Sequence, residues 1–336
     1  MDKVRIAMLG TGGIANKHAG QSASIPEVEI VGLCDVSEEN MQRLIERSLT
    51  HRASDPPPQF KDTAEMYDKT KPDAVVICTP HTMHYDHCAQ ALDRGIHVLI
   101  EKPMVTELSD AIALEKKVHE TDKVLCIAYN TPCTVEFYKL REITRNGELG
   151  KLKVVSMYLS QPWYHFTKGK WRQDPKLSGG GQLYDSGAHA LNSLCWVVEN
   201  DVEEVHAYID RLDTEVDING TLNVKFANGC IAAVAINGES PSGSYASFMF
   251  ENGKVDIDPW GGSWIQITDR TSGKEQKIKY PTMTTEDSQP LKNFVDAILG
   301  RDEARTTVRN GVIQSQLMDA VYASDKSGQP AKPKAD

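Results

Sequence analysis

The chain has 336 residues, enough for two domains with sizeable cores. Its formal net charge of -10 argues against nucleic acid or an anionic membrane as the main partner, although a local pocket on an acidic protein can still be basic. No apolar run is long enough to span a bilayer, and Met1-Asp2-Lys3 leads directly into a strand, so no signal peptide is expected.

The first part alternates strand and helix. Val4–Gly10 reads as an apolar strand, Gly13–Ser24 as a helix, and Val28–Asp35 as a strand ending in an acid. Ser37 suits the cap of the next helix, with Asn40 too short to complete a capping box. Three consecutive prolines make Ser54–Pro58 a loop. Asp73–Thr79 is nearly all apolar, as expected of a strand covered on both faces. Tyr85–Arg94 is a helix stopped by Gly95, His97–Ile100 a strand, Leu108–Glu120 a helix and Val124–Tyr129 a strand. This alternation predicts a doubly wound parallel sheet over residues 1–128.

The rhythm then changes. Val135–Asn146 reads as a helix ended by Gly147, and Val154–Ser160 opens a series of strands. Val205–Arg211, Ile218–Phe226, Cys230–Asn237, Tyr245–Glu251, Lys254–Asp258, Trp264–Asp269 and Gln276–Tyr280 continue it, with hairpin signals at Asn228-Gly229 and Asn252-Gly253. An open, mainly antiparallel sheet with a helix around His189–Val198 on one face is expected. Helices over Pro290–Leu299 and Gly311–Ser324 close an α+β domain of 129–336 and pack back toward the first. Gly328–Asp336 reads as a loose tail. The seven cysteines are scattered and none pairs at zinc-ligand spacing. That points to reduced, buried thiols in a cytoplasmic protein.

Gly10-Thr11-Gly12-Gly13-Ile14-Ala15 fits G-x-G-x-x-A between a strand and a helix. Gly10 suits the tight turn, Gly12 lets backbone approach a pyrophosphate, and Ala15 allows close helix–strand packing. A glycine turn without a ligand is the plainer alternative. Asp35 is placed to accept from the adenosine ribose and to repel a 2′-phosphate, so NAD is favoured. NADP stays open because Arg43 or Arg52 could reach a phosphate, and Asp35 could instead cap the following helix. Thr79, Pro80 and His84 follow a buried strand at its ligand-binding end. The spacing of His81, His84 and His87 raises a metal reading, but cofactor contact or solvation is preferred and no metal is expected.

These residues resemble the glucose-fructose oxidoreductase / inositol dehydrogenase / rhizopine catabolism family, Gfo/Idh/MocA. The likeness rests on Gly10–Ala15, Thr79-Pro80 with His84, Gly95–Pro103 containing Glu101-Lys102-Pro103, Gly179–His189, and Asp319–Ser324. It implies a Rossmann domain followed by a substrate-binding and oligomerisation domain, with Lys102 beside the nicotinamide and the reacting hydroxyl, and with Asp185 and His189 facing it. If helical, the last two share a face at i and i+4. Trp171 and Arg172 resemble a segment that approaches nicotinamide and substrate in the sugar-reductase branch. Two departures stand out. Asn130-Thr131-Pro132-Cys133 lacks an arginine that many members carry, and Asn192 stands where an acid often follows the histidine.

The resemblance implies hydride transfer between nicotinamide and a secondary alcohol of a sugar, polyol or sugar derivative. His189 acts as base, Lys102 stabilises developing alkoxide charge, and Asp185 positions substrate or shares a relay. The plainer alternatives are an ion pair of Lys102 with Glu101, a core role for His189 and a helix cap for Asp185. Gln161–Trp171 is rich in aromatics, so Trp163 and Tyr164 could meet a sugar face or simply pack in a loop or subunit contact. Asn130 and Tyr280 complete the expected substrate contacts. A redox-neutral glycosidase or lyase with tightly held NAD is the second reading, and a non-enzymatic sugar or NAD sensor the third. The open sheet predicts a homo-oligomer, which the resemblance implies is a homodimer or homotetramer, the partner otherwise being a small carbohydrate.

Overall fold

The computed structural model describes residues 3–261, 264–271 and 289–334, and the backbone alone of 276–280. The chain forms two compact units. One comprises Met1–Met104, Ile112–Ala128 and Gln289–Val308; the other comprises Val105–Ala111, Tyr129–Ser288 and Arg309–Asp336. Among the described residues, no helix is long and apolar enough to cross a membrane.

In the first unit, β1 (Val4–Leu9), β2 (Val28–Cys34), β3 (Gln59–Phe60), β4 (Ala74–Ile77), β5 (His97–Ile100) and β6 (Leu125–Ile127) form a parallel sheet in the order β3-β2-β1-β4-β5-β6. The direction of winding reverses between β1 and β4, the place where such sheets take their ligands. All four residues of β4 are buried, as its unbroken apolar run requires. The core joins Ile6, Met8, Leu33, Leu44, Val76 and Leu99 to Leu291, Phe294 and Val295 of helix Pro290–Ile298. Ser37 caps helix Glu38–Ser48 by accepting from Asn40 N at 3.2 Å. Helix Thr63–Thr70 was not expected from the sequence. Asp62 Oδ1 caps it, accepting from Glu65 N at 2.7 Å, so an Asp-x-x-Glu start signal lay just after the proline loop.

The second unit is built on β7 (Leu152–Ser160), β8 (Val202–Asp210), β9 (Asn219–Phe226), β10 (Ile231–Asn237), β11 (Gly243–Phe250), β12 (Gly253–Ile257), β13 (Ile265–Asp269) and β14 (Gln276–Tyr280). Their order is β14-β13-β12-β11-β7-β10-β9-β8, antiparallel throughout except for the parallel pair β7–β10. Strict alternation in β9 and β10 turns Leu222, Val224, Phe226, Val234 and Ile236 inward. Against them pack Leu191, Leu194 and Trp196 of helix Gly187–Val198, every residue of which is buried, and Ile313, Leu317 and Val321 of helix Val308–Ser327.

The expected loose tail is corrected. Ala331 bridges edge strand β8 through two backbone hydrogen bonds with Val205, each 2.8 Å, and Lys334 N donates to Asp319 Oδ2 at 2.8 Å. An unpaired strand edge is a liability, and the tail covers part of this one.

Candidate active site

The glycine turn leaves β1 with Gly10 at φ +81°, a conformation that favours glycine. A Cβ there would lie 2.7 Å from the Cys78 carbonyl carbon. At Gly12 and Gly13, by contrast, a Cβ would meet nothing within 4 Å. The backbone ahead of helix Gly13–Ser22 is therefore open to a ligand, as pyrophosphate binding at a helix start requires. Ile14 beside it is partly exposed. Asp35 lies at the end of β2 and organises this turn. Its Oδ2 accepts from Thr11 N at 2.7 Å and Thr11 Oγ1 at 2.9 Å, while Oδ1 accepts from Ser37 N at 2.8 Å. Ser37, not Asp35, supplies the helix cap. These residues fit an NAD phosphate and ribose site.

Lys102 follows β5, is half-buried, and is joined to Pro103 by a cis peptide bond. Glu101 is buried beside it. Its Oε1 lies 2.7 Å from His18 Nε2, and its Oε2 accepts from Lys102 N at 3.2 Å. Glu101, expected at the cofactor, is a carboxylate that ties the glycine-turn helix to the Lys102 peptide. His84 sits between two carbonyls, with Nδ1 2.7 Å from Pro103 O and Nε2 2.9 Å from Thr79 O. Burial lowers its pKa, against these two carbonyls, which favour the protonated ring. His87 Nδ1 meets Thr79 Oγ1 at 3.0 Å. His84 and His87 therefore brace the Thr79-Pro80 turn and the Lys102 loop. Among the described residues no group of three His, Cys, Asp or Glu side chains could hold a metal ion.

In the second unit the segment Gly179–His189 is a glycine turn leading into a helix. The helix starts at Gly187, so Asp185 precedes it and the expected shared helical face is corrected. Gly187 N donates to Gln182 O at 2.7 Å, and a Cβ on Gly187 would lie 2.7 Å from that same oxygen, so a glycine is needed for the chain to turn this tightly here. Asp185 is buried. Its Oδ2 accepts from Trp163 Nε1 at 2.7 Å and from Arg172 Nε at 2.9 Å. Arg172 in turn lies over the Trp171 ring, 4.5 Å from its centroid.

His189, 8% exposed, stands in the first turn of the helix between two aromatic rings. Tyr129 meets it edge-on with centroids 5.6 Å apart, and Trp260 lies at 4.7 Å. Asn192, one turn further along, is buried and donates to Gln314 Oε1 at 3.3 Å.

The remaining expectations divide. Trp163 is fully buried with Val216 and Ile218, so it is not available to a sugar face; its large ring packs a small core and its N–H holds Asp185. Tyr164 donates from its hydroxyl to Asp213 Oδ1 at 2.7 Å. Asn130 is half-buried at the start of the Thr131–Cys133 turn. Tyr280 ends β14, and its side chain lies outside the described residues. Three side chains had no sequence signal. His18 pairs with Glu101, Trp260 flanks His189, and Asp217 holds the glycine run. Asp217 accepts from Gly181 N at 2.8 Å, from Leu183 N at 2.6 Å and from the Tyr322 hydroxyl. Burial pushes its carboxyl up, against those hydrogen bonds. Each partner is distant in sequence, so no local pattern marks it.

Proteins of known activity resemble this chain in sequence and fold. D-glucoside 3-dehydrogenase of Escherichia coli (strain K12) is 26% identical over 357 residues, covering 97% of this chain and 96% of the relative. Glycosyl hydrolase family 109 protein 1 of Akkermansia muciniphila is 28% identical over 191 residues, covering 55% of this chain and 38% of that protein. The structure of levoglucosan dehydrogenase in complex with NADH and levoglucosan shares the fold, with a TM-score of 0.88 at 15% identity over 99% of this chain and 100% of that one. The model of an oxidoreductase family with an NAD-binding Rossmann fold matches residues 4–129, and that of the GFO/IDH/MocA C-terminal domain matches residues 137–256. The chain belongs to the Gfo/Idh/MocA oxidoreductases and carries their NAD-binding Rossmann domain.

Proposed function

We propose that this oxidoreductase oxidises a secondary alcohol of a sugar, polyol or sugar derivative, with NAD preferred over NADP. The observation that carries the reading is His189, an imidazole held between Tyr129 and Trp260 at the start of a buried helix, in a chain with an open dinucleotide turn. Bound NAD supplies the hydride acceptor. Gly12 and Gly13 would receive its pyrophosphate, and Asp35 its adenosine ribose. Neutral His189 takes the hydroxyl proton. Lys102 donates a hydrogen bond to the same oxygen and stabilises developing negative charge. Asp185 positions Arg172, to which it is bound, beside the substrate. The NAD preference rests on the negative charge of Asp35 and on the uncharged, strongly exposed Val36 after it, which supplies no partner for a 2′-phosphate.

The same reading places the enzyme in the cytoplasm, on its odd number of scattered cysteines. It also pairs copies of the chain through the open face of the eight-stranded sheet, as a homodimer or as the building block of a tetramer.

The test is absorbance of the reduced nicotinamide during incubation with NAD, and in parallel NADP, against pyranoses, glycosides and inositols. Sustained signal with NAD and one sugar class is expected. Lys102→Ala should lower that turnover by about 10²- to 10³-fold while NAD binding and melting temperature persist. Product release from a glycoside without net reduction would replace this reading with the redox-neutral one, which the partial match to a family 109 protein keeps in view. Signal unchanged in Lys102→Ala would sink the assignment of Lys102.

A further inference from the structure

We infer that Trp260 is the specificity-determining wall of the substrate site, selecting a six-membered ring carbohydrate over an open-chain polyol. The inference rests on the dehydrogenase reading above and names its substrate class more narrowly.

Of the two rings beside His189, Tyr129 is fully buried, whereas Trp260 keeps 36% of its surface exposed. Trp260 is therefore the flanking ring with apolar surface to offer a ligand. Its centroid lies 4.7 Å from that of the imidazole, with the planes inclined at 65°. A molecule resting on the indole beside the imidazole would lie within reach of the base.

The indole is also pre-organised. Asp258 Oδ1 accepts from Trp260 N at 3.0 Å and Oδ2 from Gly261 N at 3.3 Å, while Ser244 Oγ donates to Asp258 Oδ1 at 2.5 Å. The turn is then tied to the helix that carries the base. Ser193 Oγ, one turn after His189, lies 3.1 Å from Pro259 O, 2.9 Å from His189 O and 3.0 Å from Thr131 Oγ1. Trp260 and His189 are thus set at a fixed spacing by β11, the Asp258 turn and one helical turn.

A six-membered ring presents a rigid face of axial C–H groups, which covers an indole without losing internal freedom. An open-chain polyol must freeze several torsions to present such a face. A fixed indole next to a proton acceptor therefore favours the ring. Nothing in the sequence announces this, since Trp260 follows a Pro in a turn far from the Gly179–His189 motif.

The experiment compares wild type, Trp260→Ala and Trp260→Phe with two kinds of substrate, methyl pyranosides (gluco, galacto and N-acetylglucosaminide) and hexitols. For the ring substrate, kcat/KM should fall about tenfold or more in Trp260→Ala, mainly through KM, and largely return in Trp260→Phe. The loss for hexitols should be several-fold smaller, so that the ring-over-hexitol preference in kcat/KM falls in Trp260→Ala. Equal losses for ring and open-chain substrates, carried by kcat, would mean that Trp260 only holds His189 and would overturn the inference. Saturation-transfer NMR with NADH-loaded protein tests binding without turnover. Transfer to pyranoside ring protons that disappears in Trp260→Ala supports the inference even if no sugar is oxidised, in which case the dehydrogenase reading alone fails. Transfer unchanged in Trp260→Ala, or no transfer to any of the three pyranosides in wild type, overturns it.

Discussion

Asp35 accepts three hydrogen bonds from within its own unit, two from Thr11 and one from Ser37. A carboxylate has about four acceptor positions, so a ribose hydroxyl can still be accommodated. The residue thus shapes the glycine turn with an acceptor position to spare. His97 shows a different use of burial. Its Nδ1 accepts from Val124 N at 2.9 Å, which suits a neutral ring, and burial first and Lys123 second lower its pKa to about 4. The unfolded chain, with an ordinary pKa of about 6.5, binds the extra proton first. Stability should hold above about pH 6.5 and decline as pH falls toward about 4. His84 and His87 are shifted in the same direction. His97→Asn, which keeps an acceptor but does not titrate, should therefore flatten the melting temperature against pH without abolishing its slope. Identical slopes in variant and wild type would remove His97 from the account.

Among the elements, the glycine run before Asp185 is the least tolerant of change. A Cβ on Gly181 would stand 2.0 Å from the Asp217 carbonyl oxygen and 2.8 Å from its nitrogen, both backbone atoms that cannot move aside. Asp217 itself is held by Tyr322 of helix Val308–Ser327. Gly181→Ala should cost about 3 kcal/mol or more in thermal or denaturant unfolding. Gly20, inside helix Gly13–Ser22 with nothing within 4 Å of its Cβ position, serves as the contrast. Gly20→Ala should be neutral or stabilising by up to about 1 kcal/mol. Comparable losses in both variants would show that the close approach at Gly181 is not what matters.

For the whole molecule, the informative surface is the outer face of the eight-stranded sheet. Register places Tyr208, Thr221, Ala235, Tyr158 and Tyr245 in one row across five strands, and His206, Asn223, Ala233, Ser156 and Ser247 in the next. These rows carry no carboxylate, ammonium or guanidinium, and Tyr208, Tyr158 and nearby Ile231 are well exposed. An extended, uncharged stretch of this kind suits a second copy of itself across a two-fold axis. Light scattering should give at least twice the 37.2 kDa chain mass. Tyr158→Glu with Ile231→Glu should shift it toward monomer. A wild-type monomer at micromolar concentration would end the proposal.

The glycine turn, the Lys102 motif and the alternation of strand and helix were legible in the sequence because each is a local pattern, set by backbone geometry or by periodic burial. The parallel character of the first sheet and the mainly antiparallel character of the second follow from those patterns, whereas the strand orders and the parallel β7–β10 pair do not. Chain-distant pairing was not legible. That Asp185 is occupied by Trp163 and Arg172, that Glu101 meets His18, that Asp217 grips Gly181 and Leu183, and that Trp260 flanks His189 were decided only by tertiary structure. Each partner is separated from its target by 13 to 83 residues, a distance over which sequence carries no periodic signal and only the packed fold selects a neighbour.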